Sequence, residues 1–166
     1  ERFAVAGEIA VIDLDAALGQ GNNRTVIEEL VRRHLQDHGD YPKGLVVDLW
    51  GSATMRTAGE DFAMALHLAG LAPIWDENAA RVSGVEVIPL ALLGRPRIDV
   101  TLRVSGLFRD IFPGLAQLFE TGAAALSARE EQVEDNPYLT VSPRVFAPEP
   151  GRYGLGIETD DFSAEA

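Results

Sequence analysis

The sequence predicts an α/β fold, with a mostly parallel, Rossmann-like sheet and helices on both faces. Short apolar runs alternate with segments of helical periodicity, and polar residues directly follow two of the apolar runs. Four prolines between residues 137 and 150 then predict an extended, proline-rich C-terminal tail. We expect one α/β domain over residues 1–133. Residues 134–166 are expected to form a tail that is a truncated continuation of a longer parent chain.

The first elements follow from short apolar stretches and their boundaries. Residues 8–14 predict the first strand. An apolar stripe over residues 26–35 predicts a helix that ends at Gly39, because glycine is the usual residue after a helix C-terminus. A β-branched run over residues 44–50 predicts the next strand, covered on both faces.

A polar elbow, residues 51–57, follows this strand and precedes a helix in which apolar residues recur from Phe62 to Ala69. Glu60 and Asp61 lie in the first turn of the helix, where carboxylates suit the helix dipole. Open α/β sheets usually place ligands at the carboxyl ends of their strands. The elbow is therefore the first candidate site.

The second half of the chain repeats this pattern. Residues 71–75 and 82–90 predict two further strands of the alternating fold, the second of them at an edge. Residues 98–104 alternate between apolar and polar side chains, which indicates another strand. A short helix over residues 107–111 follows, and Pro113 starts a longer one. This is a second junction from strand to helix.

Composition excludes several classes of function. The chain has 26 acidic and 14 basic residues and a net charge of -12, which disfavours nucleic acid and membrane surfaces as partners. It has no cysteine, which fits a reducing compartment, and we expect a cytoplasmic protein. There is no glycine-rich phosphate loop, dinucleotide fingerprint or nucleophile elbow. A self-contained ATPase, dehydrogenase or serine hydrolase is therefore not predicted.

The histidines suggest two kinds of site. His34 and His38 stand four residues apart on one predicted helix and could share a metal ion, but an imidazole near a helix C-terminus also suits the dipole. His67 could act as a ligand or base, or be an ordinary, partly buried histidine. The structural interpretation is favoured for all three, and no metal site is predicted.

Charged residues at the two junctions leave alternatives open. Glu60 and Asp61 are adjacent and point about 100 degrees apart on a helix, so at most one enters a cleft. Arg56 and Arg109 lie just past the ends of two strands, where each guanidinium could hold a ligand carboxylate by two hydrogen bonds. Alternatively, Arg109 forms an internal ion pair with Asp110 or Asp61.

Two segments resemble, in order and spacing, motifs of the large subunits of aerobic cobaltochelatase and magnesium chelatase. They are Trp-Gly-Ser-Ala-Thr-Met-Arg-Thr-Ala-Gly-Glu-Asp at 50–61 and Arg-Val-Ser-Gly-Leu-Phe-Arg-Asp-Ile-Phe-Pro at 103–113. The sequences at 70–76 and 93–100 fit the same pattern. Met-Arg-Thr and Arg-x-Ser-Gly, within these segments, are more similar to the cobalt branch than to the magnesium branch.

The resemblance implies a fragment of a ligase that forms metal–nitrogen bonds. The parent enzyme would insert Co(II) into hydrogenobyrinic acid a,c-diamide in aerobic cobalamin biosynthesis, with ATP and Mg(II) bound on separate AAA-type motor subunits. The expected partners are these motor subunits, the tetrapyrrole and the remainder of the large subunit. No cofactor or metal is expected on the fragment. The family's His-Gly and Glu-containing motifs have no counterpart here, so catalytic residues, and activity of the isolated chain, are not predicted.

By the same resemblance, the two junctions line part of the tetrapyrrole cleft. Arg56 and Arg109 would face the anionic side chains of the macrocycle, and apolar side chains would cover its face. The candidate substrate-binding residues are Trp50, Ser52, Met55, Arg56, Thr57, Glu60, Ser105, Phe108 and Arg109. The alternatives are an interaction module that contacts the motor subunits, a fragment of a magnesium chelatase large subunit, and a segment that only braces the cleft.

Overall fold

A computed structural model describes residues 8–11, 24–76 and 81–155 of the 166-residue chain. The elements, in chain order, are β1 (Glu8–Val11), α1 (Arg24–His38), β2 (Gly44–Leu49), α2 (Gly51–Thr57), α3 (Glu60–Ala69), β3 (Leu71–Asp76), β4 (Arg81–Val87), α4 (Leu90–Leu93), β5 (Asp99–Val104), α5 (Gly106–Ile111), α6 (Pro113–Ser127), a 3₁₀ helix (Pro137–Leu139) and β6 (Val145–Phe146). No helix in the described ranges is long and apolar enough to cross a membrane.

Four parallel strands form the main sheet, in the order β1-β2-β5-β6. Strands β2 and β5 are paired along their whole length, from Gly44 opposite Asp99 to Leu49 opposite Val104. The predicted α/β fold with a parallel sheet is therefore confirmed. Strand β1 is described up to Val11, and residues 12–14 of the predicted strand lie outside the described residues.

One face of this sheet forms the core. Its inward side chains are each at most 3% exposed: Leu45, Val47, Leu49, Val100, Leu102 and Val104. Side chains of α3 and α6 belong to the same buried cluster, including Phe62, Ala65, Leu66, Phe119 and Leu126. Burying each large side chain contributes about 1.5–3 kcal/mol. The opposite face carries polar or only partly buried residues, including Asp48 on β2 and Arg103 on β5.

The polar elbow at residues 51–57, expected as a connection between a strand and a helix, is itself the short helix α2. The amide and the hydroxyl of Thr54 both donate to the Trp50 carbonyl, at 2.9 and 3.0 Å, so this side chain supports the first helical turn. Ala58 and Gly59 then adopt left-handed conformations, with φ of 53° and 85°. These two residues redirect the chain into α3.

Strand β3 does not join the parallel sheet, which corrects the predicted alternation. It pairs with β4 in a separate, two-stranded antiparallel sheet, from Leu71 opposite Val87 to Asp76 opposite Arg81. The physical reason is the short connection between the two strands, because a parallel neighbour needs a crossover of a dozen or more residues. The hairpin packs on α6, where a Cβ at Gly122 would overlap the Leu71 side chain.

A buried ion pair joins the chain before β5 to the segment after α6. Arg97 donates from Nε and Nη2 to the two carboxylate oxygens of Glu131, both at 2.8 Å. Its remaining donors reach the carbonyls of Gly70, at 3.0 Å, and Ile88, at 2.9 Å. The Arg97 guanidinium lowers the pKa of Glu131 through these hydrogen bonds. This arginine therefore holds three distant segments together.

The described part of the tail packs against the sheet. Tyr138 is 1% exposed, and its hydroxyl accepts a hydrogen bond from the Val100 amide and donates one to the Ile98 carbonyl, both at 3.0 Å. Burial raises the pKa of Tyr138. Arg144 stacks over the Tyr138 ring at 4.4 Å and pairs with Asp99. The division between a domain and a tail at residue 133 stays a prediction.

Candidate functional site

The two strand-to-helix junctions meet at the carboxyl edge of the main sheet. Because Leu49 lies opposite Val104, the residues that follow them begin α2 and α5 side by side. We call residues 50–60 and 105–109 together the paired junction. This is the edge at which open α/β sheets bind ligands.

Ser105 ties the paired junction together. Its amide donates to the Leu49 carbonyl at 2.9 Å. Its Oγ accepts hydrogen bonds from the amides of Gly51 and Phe108, both at 3.2 Å, so one hydroxyl caps α5 and also binds the first amide of α2. Ser105 is 1% exposed, so its hydroxyl is a structural link between the two junctions. Its predicted contact with a substrate stays a prediction.

Glycines allow the close approach of the chains here. A Cβ at Gly51 would lie 2.8 Å from the Leu107 side chain and from the Phe108 amide nitrogen. A Cβ at Gly106 would overlap the Arg152 carbonyl oxygen, because residues 152–154 cross the start of α5. The Gly106 amide donates to carbonyls of that crossing segment. Neither glycine can be replaced without moving backbone.

The outer surface of the first junction carries an apolar pair and a cation. Trp50 is 41% exposed and Met55 is 53% exposed, although both are large and apolar. Ser52, Arg56 and Glu60 are exposed beside them. Arg56 forms no ion pair with any residue that the structure describes. This surface can therefore offer apolar contact and a guanidinium to a ligand.

Thr57 differs from these exposed residues. Its Oγ1 is buried and has no hydrogen-bond partner within the described ranges. Buried hydroxyls are normally paired, so this orphan donor and acceptor marks a place that a water or ligand atom can complete.

Arg109 is partly buried, and partners within the chain hold its guanidinium. Its Nε donates to Asp110 at 2.8 Å, so the ion pair with Asp110, one of the predicted alternatives, is present. Its Nη1 donates to the carbonyls of Pro148 and Glu149, in the tail. The Asp110 carboxylate raises the pKa of Arg109, and the guanidinium lowers that of Asp110. In this arrangement Arg109 positions the tail.

Phe108, also a predicted ligand contact, is fully buried in the core and packs on Phe112 with ring centroids 5.5 Å apart. The family resemblance led to the prediction that Phe108 covers part of the macrocycle face, and that contact stays a prediction. In the structure, Phe108 is the apolar anchor of α5 in the second junction. The paired junction thus has an exposed half around Trp50 and a buried, supporting half around Ser105.

The histidines lie away from the paired junction. The His34 and His38 rings are 4.4 Å apart near the end of α1. No group of three or more potential metal ligands occurs among the described residues. His67 lines a cavity of about 280 Å³ near the other end of α3, with Tyr41 and Arg95.

Sequence reasoning missed one polar pair beside the paired junction. Asp48 and Arg103 lie opposite each other on β2 and β5 and form a bidentate ion pair at 2.6 and 2.7 Å. The hydrogen bond from Arg103 to Asp48 raises the pKa of Arg103. A charged residue in each of two apolar strands, one position before a strand end, was the available signal.

The protein is therefore an α/β domain with a candidate ligand site at the carboxyl edge of its sheet. The family model for CobN/magnesium chelatase matches residues 15–160. The chain is 41% identical over 151 residues to the aerobic cobaltochelatase subunit CobN of Pseudomonas aeruginosa. The matched region covers 78% of this chain and 12% of that protein. It is 36% identical over 143 residues to a magnesium-chelatase subunit of Rhodobacter capsulatus, covering 76% of this chain and 12% of that protein.

Among solved structures, the catalytic subunit of cobaltochelatase from Mycobacterium tuberculosis matches with a TM-score of 0.73 and 34% sequence identity, over 87% of this chain and 13% of that one. The chain belongs to the CobN/magnesium chelatase family, which confirms the resemblance seen in the motifs. It spans about 12% of the length of the curated relatives named here.

Proposed function

We propose that this chain is a segment of a cobaltochelatase-type large subunit and that the exposed half of the paired junction lines part of a tetrapyrrole cleft. The observation that carries the proposal is the exposed surface of Trp50, Met55 and Arg56 at the carboxyl edge of the sheet. A macrocycle has a large apolar face and anionic side chains at its rim. Sites for such ligands combine apolar walls with a few placed polar groups.

Each candidate residue then has a distinct role. Trp50 and Met55 cover the macrocycle face, and Arg56 binds a peripheral carboxylate. Ser52 and Glu60 supply polar contacts at the rim, and the buried Thr57 hydroxyl completes a hydrogen bond when the cleft is filled. Ser105, Phe108 and Arg109 support this surface from beneath and from the side of the tail.

The parent assembly, in this proposal, inserts Co(II) into hydrogenobyrinic acid a,c-diamide in the cytoplasm, and ATP is hydrolysed with Mg(II) on AAA-type motor subunits. Higher identity to the cobaltochelatase relative than to the magnesium-chelatase relative supports the cobalt branch. The groups that handle the metal and accept the pyrrole protons are assigned to the remainder of the large subunit.

Tetrapyrrole titration of the full-length protein tests the proposal. Arg56→Gln removes one partly solvated, charge-assisted hydrogen bond, worth about 1 kcal/mol, so the dissociation constant should rise about fivefold. Trp50→Ala should weaken binding at least as much. Arg33→Gln is the matched control, because Arg33 is an exposed cation on α1 that pairs with Glu29. Unchanged affinity in both junction variants would refute the assignment of the cleft.

A second candidate function is an interaction module that contacts the motor subunits. The net charge of -12 favours it, because an acidic surface attracts a basic partner. Two results together would favour this function. The chain would capture the motor subunits in a way that salt weakens, and the junction variants would not change tetrapyrrole affinity. If neither ligand nor partner binds, the segment only braces the large subunit.

A further inference from the structure

Two histidines near the end of α1 lie next to each other in space. His34 and His38 belong to successive helical turns, and their ring centroids are 4.4 Å apart with the ring planes tilted by 42°. Side chains four positions apart share one face of a helix. Paired histidines with this spacing bind one metal ion together in the helices of zinc proteases. The two rings of α1 are close enough to do the same.

The distance between the rings fits one coordination geometry. A metal ion lies about 2.1 Å from a coordinating imidazole nitrogen and therefore about 3.2 Å from the ring centroid. Two rings at a right angle around the ion, as in octahedral coordination, have centroids about 4.6 Å apart, whereas a tetrahedral angle requires about 5.3 Å. The observed 4.4 Å is close to the octahedral value. His38 is exposed and His34 is only partly buried, so both rings have room to turn a nitrogen toward a shared ion.

The surroundings of the two rings favour a cation. His38 lies in the last turn of α1, where the helix dipole presents negative partial charge. The dipole that suits a charged imidazole favours a bound metal ion as well. Residues 28–40 contain four acidic and two basic side chains, and the basic ones, Arg32 and Arg33, both pair with Glu29. Their positive charge is therefore partly neutralised.

We propose that His34 and His38 bind one divalent first-row transition-metal ion. Imidazole nitrogen suits Co(II), Ni(II), Cu(II) and Zn(II), whereas Mg(II) prefers oxygen ligands. No group of three or more potential ligands occurs among the described residues, so this part of the chain supplies two ligands and water can fill the other positions. An ion held in this way stays exchangeable, unlike the ion in a closed structural zinc site. The proposal does not depend on the tetrapyrrole cleft.

Equilibrium dialysis of the full-length protein against Ni(II) tests this site. Ni(II) is the probe because nitrogen ligands bind it more tightly than Co(II). The second imidazole acts at a high effective concentration, so His34→Gln and His38→Gln should each raise the dissociation constant of one Ni(II) ion about tenfold or more. His67→Gln removes the third histidine of this sequence, on α3, and is the control that should leave Ni(II) binding unchanged.

A rearranged pair separates chelation from the mere number of histidines. The double variant His38→Gln, Gln36→His keeps two histidines on α1 but places them two residues apart, where side chains do not face each other. It should bind Ni(II) as weakly as His38→Gln alone. Recovery of the wild-type affinity in the double variant would overturn the proposal. Unchanged Ni(II) binding in either single variant, or a wild type that binds no Ni(II), would overturn it as well.

Discussion

Removal of the Ser105 hydroxyl should destabilise the whole fold. Ser105→Ala deletes the acceptor for two buried amides, those of Gly51 and Phe108. Loss of a helix N-cap costs about 1 kcal/mol. A buried amide left without a partner costs about 1–3 kcal/mol more. The expected loss in the free energy of unfolding is therefore about 2–4 kcal/mol, a large part of the stability of an ordinary domain.

Urea unfolding, followed by far-ultraviolet circular dichroism and tryptophan fluorescence, measures this change. Ser127→Ala is the control, because the exposed Ser127 hydroxyl donates to the Ala124 carbonyl at the end of α6. We expect this control to change the free energy of unfolding by less than about 0.5 kcal/mol. If Ser105→Ala is equally mild, the hydroxyl does not connect the two junctions as the distances indicate.

Two further perturbations test the supports of the fold. Glu131→Gln leaves the buried Arg97 guanidinium without its counter-charge and should cost about 3 kcal/mol at neutral pH. Arg97 lowers the pKa of Glu131 from 4.5. The stabilisation by the ion pair is therefore complete well above pH 4.5 and is lost as the pH falls below that value. The melting temperatures of the wild type and the variant should converge in acid. Gly106→Ala should displace Arg152 and make the tail more sensitive to protease. Gly114→Ala is the control and should not, because the space around Gly114 is open. Equal cleavage of the two variants would argue against the packed tail.

Much of the fold could be predicted because the spacing of apolar residues along the chain shows which side of an element is buried. The alternating residues at 99–104 indicate a strand with one buried face, and the apolar residues that recur every three or four positions in α3 indicate a helix with one buried side. The hairpin of β3 and β4 was missed because an apolar run does not show its partner. The four residues that connect the two strands carried that information, since they are too few for a crossover.

The candidate site was predictable in position more than in detail. Polar residues after β2 and β5 indicated the carboxyl edge, because parallel strands end together there. The partners of Arg109 were not predictable, since two of them are backbone carbonyls of the tail, about 40 residues away in sequence. Backbone groups have no residue-type signature, and only the fold brings them within reach. The same holds for the pairing of Asp48 with Arg103, which depends on strand register.

The hydrogen bond from Gly51 to Ser105 joins residues 54 positions apart, and this separation has a kinetic consequence. Contacts between distant residues form late, because the intervening loop must close before any contact compensates for the lost chain entropy. Neither junction can reach its final shape until β5 has paired with β2. Peptides that carry either motif alone would therefore lack the paired junction. Trp50 should reach its final environment only in the last stage of sheet assembly.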